Sequence, residues 1–436
     1  MTIGRRSILF ALVAAAAPGA GLAQKITVTP PTVLMDGVAD IRATGLQPGA
    51  TVTIRADLTD GGDQPWEAEA DFTADSTGAV DTATQAPVKG SYRLASAMGL
   101  IWSMTSPEKN VHLYEPPRQL GSQLIHFHLL AEGKEVSSAG LEQLAVATDV
   151  RKTRLEGKLH GMLFEPAGEG KHPAVLVLGG SEGGAPTRRA AWLASHGYTA
   201  LALAYFRYEG LPDQLLNIPL EYFGEALAWM AQRPEIDAER IGVMGVSRGG
   251  ELALQLGSVY PMIHAVAAYV PSNVRRQACC GRGLGAAWTW QGLPLAWAAP
   301  ERVRDPAEIL RATIPVEHIR GPVLMIAGDD DGVWPSWSMV DTAAALLRQS
   351  HFGYPVTVLK YPHAGHRAGV PEIMPMWNRG VTHPVSGTRV DYGGTPEGNA
   401  LSSLDAIPKV LEFLRTSLGT AAPPVTGEQG TTSAQE

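Results

Sequence analysis

A doubly wound, mostly parallel α/β sheet behind a small antiparallel β-sandwich is the architecture this sequence predicts, and three observations carry it. The chain has 436 residues, too many for one ordinary domain, so two are expected. From Lys25 to about Leu130, short stretches alternate apolar and polar residues and break at turn signals, with no helical periodicity. From His172 onward, near-continuous apolar runs alternate with segments of helical spacing, the rhythm of βα units. The expected organisation is a signal peptide over residues 1–23, a sandwich over 24–132, an α/β domain over 150–418 and a disordered tail over 419–436.

A hydrophobic fraction of 45% and a charged fraction of 18% fit a globular protein with a proper core. The formal net charge of −8 argues against a broad nucleic-acid-binding face, which needs clustered Lys and Arg. The first residues read as an address. Arg5 and Arg6 precede an apolar stretch from Ile8 to Ala17, and Gly21-Leu22-Ala23 supplies the small residues a signal peptidase prefers. The arginine pair followed by Ser7-Ile8-Leu9 resembles a twin-arginine signal, although a general secretory signal gives a similar picture. An exported, periplasmic protein is expected, with a cytoplasmic one as the alternative. No later segment approaches the roughly 20 apolar residues of a bilayer span, so none is expected after signal removal.

In the first half, "KITVTPPTVLMDGVADIRATGLQPGATVTIRADLTD" breaks at Pro30-Pro31, Asp36-Gly37 and Gln47-Pro48-Gly49, and "PWEAEADFTADSTGAV" continues in the same manner. Strands at this spacing argue for a small antiparallel sandwich. His126 and His128 share one face of a strand; two ligands are a weak metal signal, and a solvated face is expected. A polar connection is expected from Ala131 to Glu142.

In the second half, "HPAVLVLGG" reads as a strand buried on both faces. A helix from Thr187 to His196, the strand "YTALALAYF" and the helix "LEYFGEALAWMAQRP" follow. Then come the strand "RIGVMGV", a helix, and three further strands in "IHAVAAYVP", "GPVLMIAGDDD" and "YPVTVLKYPHAGH". Active sites in such sheets lie outside the carboxyl ends of the strands. The adjacent Cys279 and Cys280 read as structural or incidental, since neighbours rarely reach disulfide geometry without strain and no second cysteine cluster completes a zinc site.

The chemistry sits in "GVMGVSRGGELAL". A Gly-x-Ser-x-Gly between a buried strand and a helix is the setting of a nucleophile elbow, with Ser247 as nucleophile. A serine hydroxyl is a weak nucleophile and needs a base and an orienting acid. Both follow in the Ser…Asp…His order of α/β-hydrolases. "GDDDGVWPS" offers Asp329, Asp330 and Asp331; Asp331 is preferred because it stands three residues past the strand-ending Gly328. "YPHAGHRAG" offers His363 and His366; His366 is preferred because Ala364-Gly365 leaves it on an exposed loop. The backbone N–H of Arg248 opens the helix and suits an oxyanion, and "LGGSEGG" supplies a second donor through the Ser181 N–H. No Gly-Lys-Ser/Thr follows these glycines, which disfavours a nucleotide loop. Arg188 and Arg189 either meet an anionic substrate tail or lie on a solvated helix face. Trp288, Trp290 and Trp297 either line an acyl pocket or pack.

Across nearly the whole mature sequence the chain resembles the acyl-CoA thioester hydrolase and bile acid-CoA:amino acid N-acyltransferase family. The matching elements are "ATGLQPGATVTIRADLTD", "ADSTGAVD" and "MGLIWSM", then "GGSEGG", "HGYTALALAYFRYEGLP", "IPLEYFGEAL", "GVSRGGELAL", "GDDDGVWPS" and "GGTPEGNA". The resemblance implies an immunoglobulin-like N-terminal domain, an α/β-hydrolase domain, and triad roles for Ser247, Asp331 and His366. Members with cysteine as nucleophile transfer acyl groups to amino acids, whereas members with serine mainly hydrolyse the thioester. Hydrolysis of an acyl thioester is therefore expected, on a small-molecule substrate and with no cofactor or metal. The same site chemistry serves an exported carboxylic-ester or amide hydrolase, or an acyltransferase to an amine or alcohol; a non-catalytic binding protein fits these residues least.

Overall fold

The computed structural model describes residues 23–280, 284–299, 305–377 and 380–419. At its centre lies an eight-stranded sheet of β1 (Arg151–Arg154), β2 (His160–Glu165), β3 (His172–Leu178), β4 (Thr199–Ala204), β5 (Ile236–Val246), β6 (Ala265–Tyr269), β7 (Val323–Gly328) and β8 (Val356–Tyr361). The spatial order is β1-β2-β4-β3-β5-β6-β7-β8. The pairings of β1 with β2 and β2 with β4 are antiparallel, and all others in the sheet are parallel. This is the mostly parallel, doubly wound sheet expected of an α/β-hydrolase.

Strands β3, β4, β6 and β7 are buried at every residue, which explains their unbroken apolar sequences. Their alternate side chains sort into two cores, as the strand period of two requires. Val175 and Val177 pack with α1 (Thr187–Ser195) on one face, and Leu176 and Leu178 with α2 (Leu220–Ala231) and α3 (Arg248–Val259) on the other. Helix α4 (Ser336–Gln349) joins the second core, and α5 (Pro396–Leu418) the first. Strand β1 is exposed at all four residues, RKTR, so no apolar run marks it in the sequence.

The N-terminal part holds two sheets. Six strands run in the order Thr32–Leu34, Lys134–Leu144, Ser122–Ala131, Thr51–Thr59, Pro65–Thr73 and Lys89–Gly90; three more are Lys25–Thr29, Asp40–Thr44 and Val80–Asp81. Apart from the parallel contact of Thr32–Leu34 with Lys134–Leu144, the pairings are antiparallel. Alternation reads directly into burial: Val52, Ile54, Ala56 and Leu58 face the core, as do Trp66, Ala68, Ala70 and Phe72.

The expected polar connection from Ala131 to Glu142 is instead mostly strand. Lys134–Leu144 pairs with Ser122–Ala131 across a turn at Glu132 (φ 51) and Gly133 (φ 73), the doubly positive φ of a tight hairpin. Its first residues face solvent, and of its two fully buried side chains, Leu141 and Gln143, only Leu141 is apolar, so the apolar alternation that signals a strand is faint. On the same hairpin His128 is held by Asp57 at 2.9 Å and Glu135 at 3.0 Å, while His126 is exposed.

Buried residues of the two parts form one continuous cluster. The Ile373 N–H donates to the Met35 carbonyl at 2.7 Å, and Gln143 Nε2 donates to the Ile373 carbonyl at 3.1 Å. Trp192 Nε1 and His196 Nε2, from and just after α1, meet Asp36 Oδ2 at 2.9 and 2.7 Å. These contacts bring residues 113–116 to the cavity described below. The expected signal peptide over 1–23 and the expected tail over 419–436 lie, but for residues 23 and 419, outside the described residues. Among the described residues, no helix is long and apolar enough to cross a membrane.

Candidate active site

Strand β5 ends at Val246 and α3 begins at Arg248, leaving Ser247 alone at the turn with φ 57 and ψ −118. Positive φ at a non-glycine residue is costly and persists only where the surroundings fix it. Here the Ser247 N–H donates to the Tyr269 carbonyl at 2.9 Å, and its own carbonyl accepts from Glu251 N–H at 3.0 Å. The flanking glycines serve close approach: a Cβ on Gly245 would fall on the Gly249 carbonyl, and one on Gly249 would strike the Leu178 and Gly179 carbonyls. The elbow is thus pressed onto the end of β3. The loop after β3 adjoins it, since a Cβ on Gly180 would lie 3.3 Å from Ser247 Cβ.

Ser247 Oγ lies 2.8 Å from His366 Nε2, and His366 Nδ1 lies 2.9 Å from both oxygens of Asp331. Ser247, on the β5–α3 turn, Asp331, after β7, and His366, after β8, come together across 119 residues of chain. A carboxylate only accepts, so Nδ1 carries the proton and Nε2 accepts from the serine hydroxyl. Asp331 Oδ1 also accepts from the N–H groups of Val333 at 2.9 Å and Trp334 at 3.2 Å, which fixes its direction. Its neighbours point elsewhere: Asp329 accepts from the His363 N–H at 2.5 Å, and Asp330 from the Gly394 N–H at 3.0 Å. His366 is 7% exposed rather than the exposed residue expected, because Trp334 stands edge-on to its ring and Tyr392 stacks on it.

Both expected oxyanion donors border the cavity: Arg248 at the positive end of α3, and Ser181 in the loop after β3. The Arg248 side chain turns away from the cavity into a buried network. Nη1 donates to the Gln277 carbonyl at 2.8 Å, Nη2 to the Arg276 carbonyl at 3.1 Å, and Nε lies 3.4 Å from Glu251. Glu251 also accepts from Trp288 Nε1 at 2.7 Å. Burial raises the Glu251 pKa, opposed by Arg248 and the Trp288 hydrogen bond. Ser181 Oγ lies 3.0 Å from His383 Nε2. His383 Nδ1 accepts from the N–H groups of Val385 and Ser386 at 3.3 and 3.2 Å, so its proton sits on Nε2 and is donated to Ser181. Burial lowers the His383 pKa and keeps the ring neutral.

These residues surround a cavity of about 690 Å³. Trp334, Tyr392, Tyr269, Tyr114 and His383 line it; Trp334 stands in the quoted "GDDDGVWPS", whose acids drew the reading, and the other four stand outside the site motifs read from the sequence. Trp288, Trp290 and Trp297 do not line it; Trp288 packs with Tyr205 and Phe223, and Trp290 with Tyr260. Cys279 and Cys280, read from sequence as structural or incidental, are disulfide-bonded to each other in the cavity wall. With His383 they bring three ligand atoms within 4.8 Å of one another. They do not fit a metal, because the sulfurs are bonded to each other and His383 Nε2 carries a proton instead of a free lone pair. Neither Arg188 nor Arg189 lies on a freely solvated helix face: Arg188 is ion-paired with Glu372 at 2.7 Å, and Arg189 borders the cavity with its guanidinium 4.4 Å from the centre of the Tyr269 ring.

The sequence matches the acyl-CoA thioester hydrolase/BAAT N-terminal region over residues 36–157, and the BAAT/acyl-CoA thioester hydrolase C-terminal region over 218–280 and 300–420. It is 30% identical to acyl-coenzyme A thioesterase 6 of Mus musculus over 89% of this chain and 95% of that protein. It is 28% identical to acyl-coenzyme A thioesterase 1 of Homo sapiens, over 87% of this chain and 93% of that protein. Among solved structures it is similar to a dienelactone hydrolase-like promiscuous phosphotriesterase from metagenomic libraries, at 16% identity over 62% of this chain and 98% of that one, with a TM-score of 0.39. With both regions matched, and a relative that it aligns with almost from end to end, the chain belongs to the acyl-CoA thioester hydrolase/BAAT family.

Proposed function

We propose that this protein hydrolyses acyl thioesters of the acyl-CoA type through an acyl-enzyme on Ser247. The observation that carries the proposal is the hydrogen-bonded chain from Ser247 Oγ to His366 (2.8 Å) to Asp331 (2.9 Å), which opens on the cavity. Ser247 Oγ attacks the thioester carbonyl carbon while His366 Nε2 takes its proton. Asp331 holds the tautomer and stabilises the imidazolium, and the N–H groups of Arg248 and Ser181 receive the oxyanion. The C–S bond breaks, and His366 returns the proton to the leaving thiolate. Water then gives a proton to His366 and attacks the acyl carbon; the free acid leaves and Ser247 regains its hydroxyl.

Covalent labelling by a fluorophosphonate, together with release of free thiol from an acyl-CoA, tests this reading. Both are expected in the native protein and lost in Ser247→Ala; labelling that survives the substitution refutes the assignment. We also propose, on residues 1–23 alone, that the chain is exported and that the mature protein begins at Gln24. N-terminal sequencing of the protein from cell fractions tests this, and a cytosolic form retaining Met1 refutes it.

A further inference from the structure

The cavity wall carries a reactive group that the triad does not use. The disulfide between Cys279 and Cys280 borders the same cavity as Ser247 and His366, and both cysteines are half-buried there. Two links tie the pair to the oxyanion loop and the elbow. His383 Nε2, whose proton is donated to Ser181 Oγ at 3.0 Å, also lies 3.9 Å from Cys280 Sγ. Ser181 follows Gly180, where a Cβ would stand 3.3 Å from Ser247 Cβ. Arg248, at the start of α3, holds the carbonyls of Arg276 and Gln277 just ahead of the pair. One imidazole ring therefore separates the disulfide from the loop that receives the oxyanion.

The two sulfurs are not equivalent. Cys279 packs against the apolar core that holds α2 and α3, whereas Cys280 Sγ has the His383 N–H within reach. In thiol–disulfide exchange a thiolate attacks one sulfur, and the better stabilised thiolate leaves. Apolar surroundings disfavour a thiolate on Cys279, and an N–H donor favours one on Cys280. Attack therefore falls on Cys279 Sγ. The backbone here is anchored independently of the sulfurs. The Cys279 N–H donates to the Leu215 carbonyl at 3.0 Å, and its carbonyl accepts from the Leu215 N–H at 3.1 Å. Opening the disulfide thus frees two side chains in the wall and leaves the chain in place.

We infer that Cys279–Cys280 is a thiol-exchange site, opened by the thiol that hydrolysis itself releases into the cavity. This rests on the thioester-hydrolase reading, which supplies the thiol. The thiol loses its proton to water, and its sulfur bonds to Cys279 Sγ as the Cys279–Cys280 bond breaks. The electron pair goes to Cys280 Sγ, which accepts from His383 Nε2 and then takes a proton from water. The mixed disulfide holds the leaving group beside the oxyanion loop and obstructs the next substrate. A second thiol attacks the sulfur of the bound leaving group and departs with it as a symmetrical disulfide. Two thiols are then oxidised, and the two cysteines are reduced.

Native protein incubated with coenzyme A, without acyl ester, then quenched in acid and alkylated with N-ethylmaleimide, tests this by intact mass. An early gain of one coenzyme A and one maleimide is expected, with peptide mapping placing coenzyme A on Cys279. A later gain of two maleimides should follow. Turnover of fresh acyl-CoA should fall in step with the mixed disulfide, and desulfo-coenzyme A, which has no thiol, should cause no such time-dependent fall. Cys279→Ser combined with Cys280→Ser should abolish both the mass gains and the time-dependent fall. A protein that hydrolyses acyl-CoA and gains neither mass overturns the inference and leaves the hydrolase reading standing. Coenzyme A found on Cys280 overturns the direction of attack and the part given to His383. An equal time-dependent fall in the double variant overturns the link between the pair and turnover. Exchange in a protein inert toward every acyl thioester overturns the hydrolase reading, and with it the source of the thiol. The mass of the native protein decides even where the double variant fails to fold.

Discussion

Trp334 stands edge-on to His366, with ring centroids 5.3 Å apart, while its indole N–H donates to the Val270 carbonyl at 3.0 Å. Its backbone N–H meets Asp331 Oδ1 at 3.2 Å. One residue therefore ties the end of β6 to the acid loop and to the histidine ring. Misplacing a catalytic group by about 1 Å costs on the order of 100-fold in rate. Trp334→Ala should lower kcat on a thioester by about 10- to 100-fold with a smaller change in KM. Trp334→Phe keeps a ring against His366 and loses only the indole donor, so its loss should be smaller. Steady-state kinetics of the two variants distinguishes a positioning role from simple bulk.

Asp331 accepts three hydrogen bonds, two from its own loop and one from His366. Asp331→Asn preserves the shape but presents an amide N–H, or a neutral oxygen, to Nδ1. The wrong histidine tautomer then faces Ser247, a change that costs about 10⁴ in kcat in serine proteases. A comparable loss in thioester hydrolysis is expected with an unchanged circular dichroism spectrum. A variant retaining more than about a tenth of native kcat would remove Asp331 from the proposed mechanism.

The parts of the fold that were legible were those where one physical signal dominated. β3, β4, β6 and β7 are buried on both faces, and their apolar runs leave no other reading. Ser247, Asp331 and His366 could be named because each follows a strand end, where chain order and turn residues constrain the choice. β1 and the start of Lys134–Leu144 escaped notice because exposed strands carry no hydrophobic pattern. Tyr392 and His383 reach the cavity from loops, and which loop folds over the sheet is a tertiary outcome that no local spacing encodes. The Cys279–Cys280 pair escaped for a different reason, since neighbouring cysteines are ordinarily excluded from bonding by the geometry of their Cα atoms.

His383 gives a pH dependence whose sign can be fixed. Its folded pKa is lowered below 6.5 by burial, with Arg207 pushing the same way against Glu182. As pH falls through 6.5 the unfolded chain takes up a proton that the native state resists, so stability is present above that pH and lost below it. His383→Asn removes this contribution. Its urea midpoint should therefore fall less steeply than that of the native protein between about pH 6.5 and 5. Parallel slopes would mean that His383 titrates alike in both states.

The Glu251–Arg248–Trp288 network beneath the elbow yields a stability prediction that separates charge from packing. Glu251 is fully buried and Arg248 is 4% exposed, so removing the carboxylate alone strands a guanidinium left with two carbonyls and the Trp288 ring 5.9 Å away. Breaking one side of a buried pair costs about 3–5 kcal/mol, whereas replacing both members with apolar residues of similar volume is often near neutral. Glu251→Ala should therefore lower unfolding free energy by about that amount, and Glu251→Leu combined with Arg248→Met should recover part of it. Recovery stays incomplete because the Arg276 and Gln277 carbonyls lose their donors and Trp288 Nε1 loses its acceptor. Urea denaturation of the single and double variants measures both quantities. A double variant no more stable than Glu251→Ala would show that the network acts through its hydrogen bonds to residues 276 and 277 rather than through a balanced charge pair.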